Sequence, residues 1–84
     1  MAYSVTYKKS VRKDLGNLSK TEARRILAKI ETDLARRAAE YPLLKGEFAG
    51  LRKLRVGDYR VIFAILGTDV LVLRIGHRRE VYDR

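Results

Sequence analysis

The chain has 84 residues, of which 46% are hydrophobic, with six Gly, one Pro and no Cys; this suits one domain with a modest core and excludes a low-complexity or disordered segment. Without thiols there is neither a disulfide framework nor a thiolate metal site, and a reducing cytoplasm is the expected compartment. Nineteen Lys and Arg against ten Asp and Glu leave a net charge of +9, a field that draws polyanions, of which nucleic acid is the commonest in a cell.

No apolar run approaches the ~20 residues of a membrane span. The opening "MAYSV" alternates instead of forming a basic region and an apolar segment, so it does not read as a signal peptide. Residues 2–7, "AYSVTY", alternate and carry β-branched and aromatic side chains, which predicts a strand. Ser10 is then placed to cap a short helix on which Val11, Leu15 and Leu18 recur at helical spacing, ended by Gly16-Asn17.

Ser19-Lys20-Thr21-Glu22 has the capping-box pattern, so a second helix begins near residue 20. Ala23, Ile26, Leu27, Ile30 and Leu34 form its apolar stripe, and Asp33 with Arg37 offers an i,i+4 ion pair. Pro42 disfavours helical geometry at Tyr41 and ends the helix at about residue 40.

After a connection over residues 43–50 come three β-like runs, 51–56, 59–66 and 70–75. Gly57-Asp58 and Gly67-Thr68-Asp69 are short enough to make both links hairpins. The chain therefore reads as one α+β domain over residues 1–84, ordered β-α-α-β-β-β. Two N-terminal helices pack on one face of a small, twisted, mainly antiparallel four-stranded sheet.

Alternation within the strands sorts their side chains. Tyr59, Val61, Phe63 and Ile65 go to the helix-packed core, with Leu54 and Val56 beside them. Lys53 and Arg55 then share the other face with Arg60, and Arg74 joins from the last strand. Arg52 falls opposite Lys53. Arg78 and Tyr82 follow Gly76 and are expected at the rim of this cation patch. These positions equally suit solubilising charges and an amphipathic cover.

With no Cys, one His and no paired carboxylates near the patch, thiol and metal hydrolysis are poorly supplied. RNA brings its own nucleophile, a 2′-hydroxyl beside the scissile phosphate. Arginine suits the charge that develops on that phosphate. Tyr82, with its pKa lowered by neighbouring cations, suits proton transfer; His77 titrates nearer neutrality but more often serves a solvated or structural role. Arg52, Arg55, Arg74 and His77 complete the candidate RNA-binding set.

"LRKLRVGDYRVIFAI" followed by "VLRIGHRREVY", after a strand and two helices, resembles the RelE/ParE superfamily of toxins from toxin–antitoxin pairs. In its RelE branch the resemblance implies a ribosome-dependent, metal-independent endoribonuclease that cuts mRNA in the ribosomal A site beside ribosomal RNA. It also implies a cognate antitoxin and no cofactor. By position, Lys53 and Arg60 would hold the phosphate, Arg78 would stabilise the transition state and Tyr82 would act as general base. The pattern departs at Leu51, where RelE-like enzymes often carry a lysine; Arg52 is adjacent but out of phase. The alternatives are a ParE-like gyrase inhibitor that cuts nothing and a noncatalytic basic nucleic-acid module.

Overall fold

The computed structural model describes residues 2–46 and 49–77. Strand β1 (Ser4–Tyr7) leads through Lys8 into helix α1 (Lys9–Gly16), and helix α2 (Lys20–Lys29) follows. The helical course continues as a π-turn over Ile30–Leu34, a short α-turn over Ala35–Arg37 and a 3₁₀ turn over Ala38–Glu40. Strands β2 (Arg52–Val56), β3 (Tyr59–Leu66) and β4 (Asp69–His77) complete one sheet in the order β1-β4-β3-β2. The three later strands pair antiparallel, and β1 lies parallel to β4. This is the α+β architecture that the alternation and the helical stripe predict.

The local signals act where expected at α2. Ser19 Oγ accepts the Glu22 backbone N–H at 3.1 Å, satisfying a donor that the first helical turn leaves over. The helical path ends at Glu40, before Tyr41-Pro42. Ser10 does not cap α1, which starts one residue earlier with no side-chain cap. The reason is tertiary: the Lys8 N–H donates to the Val72 carbonyl at 2.9 Å, so strand pairing fixes where the backbone turns into the helix.

Val11 of α1 and Ile26, Ile30, Leu34 and Ala38 of the α2 course pack against Leu54, Val56, Val61, Phe63, Val70, Val72 and Ile75 of the sheet. All lie between 0% and 6% exposed, so the apolar stripe and one sheet face form a single core.

One irregularity sets what faces where. Phe63 opposes Val72, but Ile62 opposes Arg74, so Leu73 is an extra residue on β4. Plain alternation would put Arg74 on the same side as Val70 and Val72. The bulge reverses the phase, so that Ile75 enters the core and Arg74 turns outward.

Candidate functional site

The β2–β3 pairing runs without a slip: Lys53 opposes Ile62, Leu54 opposes Val61 and Arg55 opposes Arg60. Because directly opposed residues share a face, Lys53, Arg55 and Arg60 lie together on the sheet face turned from the helices. Arg74 joins them across Ile62 through the β4 bulge. Two rows result, Lys53–Ile62–Arg74 and Arg55–Arg60–Gly76, two residues apart along each strand.

Arg55 and Arg60 stand directly opposite each other, a like-charge pairing that weakens a sheet. Arg55 is exposed, whereas Arg60 is only 7% exposed and its Nη1 donates to the Tyr59 carbonyl at 3.4 Å. A guanidinium held this far from water costs free energy unless negative charge or carbonyl oxygens surround it. Two forks of fixed charge on neighbouring strands suit a phosphate, which accepts hydrogen bonds in pairs.

Arg52 and His77 are placed off this face. Arg52 sits opposite Phe63, on the helix side, and Nη1 donates to the carbonyls of Tyr41 at 2.6 Å and Ala39 at 3.2 Å. It satisfies carbonyls at the end of the helical course and ties that end to β2. Leu51, directly before β2, is half-buried and brings no charge. His77 opposes Tyr59 with ring centroids 5.7 Å apart and planes at 81°, beside Asp14 of α1 and Asn17 at its C-terminal end. Arg78 and Tyr82 lie outside the described residues.

Sequence reasoning took Asp33 only as half of an ion pair. In the structure it is 7% exposed and lies within the π-turn. Its Oδ2 accepts the Tyr41 hydroxyl at 2.6 Å, with Lys29 Nζ at 3.2 Å and Arg37 Nη2 at 3.5 Å. The Tyr41 hydrogen bond and the two cations hold the Asp33 carboxyl below its ordinary pKa, outweighing burial. Burial and the same carboxylate push the Tyr41 phenol up. The ring of Tyr41 meets that of Phe63 edge-on at 6.3 Å.

Among the described residues, no helix is long and apolar enough to cross a membrane. The family model described as the ParE toxin of type II toxin–antitoxin system, parDE, matches residues 5–82. Toxin RelG of Mycobacterium tuberculosis is 33% identical over 91 residues, covering 100% of this chain and 100% of that protein. The fold matches a chain of the toxin–antitoxin complex RelBE2 from Mycobacterium tuberculosis, with TM-score 0.86, 30% identity, 93% of this chain and 100% of that one. It also matches a mutant of E. coli toxin RelE in complex with an antitoxin RelBc peptide, with TM-score 0.72, 25% identity, 98% of this chain and 92% of that one. Agreement of sequence with fold across nearly the whole length makes this chain a member of the RelE/ParE superfamily of type II toxin–antitoxin toxins.

Proposed function

We propose that this chain is a ribosome-dependent endoribonuclease that cuts mRNA in the A site without a metal, and that a cognate antitoxin restrains it. The observation that carries the reading is the direct opposition of Arg55 and Arg60, flanked by Lys53 and Arg74. A phosphodiester lying against the two guanidinium groups would accept hydrogen bonds from both forks. The antitoxin is supported by the relatives solved as complexes, RelBE2 and RelE with its RelBc peptide.

In this mechanism Lys53 and Arg60 grip the scissile phosphate while Arg55 and Arg74 draw in the backbone. Tyr82 takes the proton from the 2′-hydroxyl, whose oxygen attacks phosphorus, and Arg78 stabilises the added negative charge. The 5′-oxygen leaves as a hydroxyl, taking its proton from water, and a 2′,3′-cyclic phosphate remains. Arg52 and His77, on the helix side of the sheet, have no part in these steps.

The test is purified protein added to mRNA-programmed ribosomes, with cleavage positions mapped. Cuts within the A-site codon are expected; intact mRNA at excess protein overturns the reading. Tyr82→Phe should lower cleavage by about 100-fold or more and leave ribosome binding unchanged.

A second reading is favoured by the match to the parDE toxin description: binding and inhibition of DNA gyrase without any cut. A supercoiling assay separates the two, since only that reading predicts loss of supercoiling with RNA left whole.

A further inference from the structure

Between α2 and the outer edge of β2 runs a groove that the reaction site does not use in full. Two depressions of about 500 and 260 Å³ share Lys29, Asp33 and Arg55 and so form one channel. Arg25, Lys29 and Arg37 line its helix side, and Lys53 and Arg55 its strand side. The acid in this lining, Asp33, already accepts the Tyr41 hydroxyl and faces Lys29 and Arg37. Glu22 Oε1 stands 3.8 Å from Arg25 Nη1 outside the lining. The described lining still carries five cations to one acid, and the channel meets the cation face at Lys53 and Arg55.

The turn at its far end is shaped around a cation. Gly57 has φ +60, and a Cβ there would stand 2.6 Å from Arg25 Nη2, so the guanidinium lies directly on the turn backbone. Arg25 and Lys29 are one helical turn apart, which brings their Cβ atoms within ~6 Å. Ala28, Leu54, Val56, Tyr41 and Pro42 give the floor of the channel an apolar surface, while Leu43 and Leu66, the large exposed hydrophobics among the described residues, do not line it. Cations spaced along both of its walls match a backbone of repeated phosphates.

We propose that this groove is an RNA-backbone track, holding the phosphodiesters that flank the one gripped at Arg60. It rests on the RNA reading given under Proposed function, and its test avoids the cleavage step. A short fluorescent oligoribonucleotide, 2′-O-methylated so that it has no nucleophile, is titrated by anisotropy across a salt series. The variants are Arg25→Gln/Lys29→Gln in the groove and Lys20→Gln/Arg24→Gln, which removes two exposed cations of α2 outside it.

Loss of two phosphate contacts should weaken binding roughly tenfold near 0.1 M salt and lower the salt slope by about 1.4. The control pair should stay within about twofold. Equal losses in both pairs would reduce the groove to diffuse charge and overturn the proposal. So would unchanged RNA binding by the groove pair together with lost binding of an acidic antitoxin peptide. Selective loss of RNA binding alongside inactivity on ribosomes would sink the cleavage mechanism and leave the track standing.

Discussion

Asp33 shows how one buried carboxylate couples helix to strand. Its Oδ2 gathers Tyr41, Lys29 and Arg37, and the Tyr41 carbonyl in turn accepts Arg52 at 2.6 Å. Lys29 and Arg37 are about half exposed, so their pairing contributes little, and the Tyr41 hydrogen bond dominates. Asp33→Asn should lower unfolding free energy by about 1–2 kcal/mol in urea denaturation. A folded pKa below the unfolded value means that this contribution is complete above the ordinary carboxylate range and fades as pH falls through the folded value. The wild type should therefore lose more stability than the Asn variant on acidification below about pH 4; parallel acid limbs in the two proteins would refute the assignment. The raised Tyr41 phenol acts at the other end, favouring the fold below the ordinary phenol range and losing that contribution as pH climbs through the folded value.

At the scale of the element, what was legible in the sequence is what local chemistry dictates. The Ser19–Glu22 cap, the apolar stripe from Ile26 to Leu34 and the Gly57-Asp58 turn all sit where residue type requires. The β2 face was legible too, because alternation there continues unbroken from Arg52 to Val56. Three features were not. The π-turn over Ile30–Leu34 lies within an ordinary helical pattern, the start of α1 is set by a hydrogen bond to β4, and the Leu73 bulge carries no glycine to mark it. That bulge is nevertheless what turns Arg74 to the cation face, so an expectation drawn from alternation reached its position by a different route. Gly57 gives a sharper test of turn chemistry. Gly57→Ala places a side chain at φ +60 and should cost about 1–2 kcal/mol. Removing Arg25 as well should recover little of this, because Nη2 is the end of a flexible side chain. Full recovery in thermal or urea unfolding would show crowding, and not backbone strain, to be the cause.

Across the whole molecule the sheet order joins distant parts of the chain. Ser4 pairs with Asp69 and Tyr7 with Val72, the Tyr3 N–H reaches the Ala35 carbonyl at 2.7 Å, and the Tyr7 hydroxyl donates to Glu31 at 2.9 Å. Removing residues 1–7 would strip the outer edge of β4 and unseat Val5 and Tyr7 from the core. That deletion should abolish the cooperative unfolding transition, as followed by circular dichroism; a truncated chain that still melts sharply would contradict this account of the fold.

The placement of β1 also bears on biosynthesis. Among the described residues its neighbour in the sheet is β4, so while the chain is being made β1 cannot form this pairing until residues 69–77 have left the exit tunnel. The cation face is likewise assembled from β2, β3 and β4 together. A protein built this way can neither close its sheet at β1 nor assemble its cation face before residues 69–77 have been made.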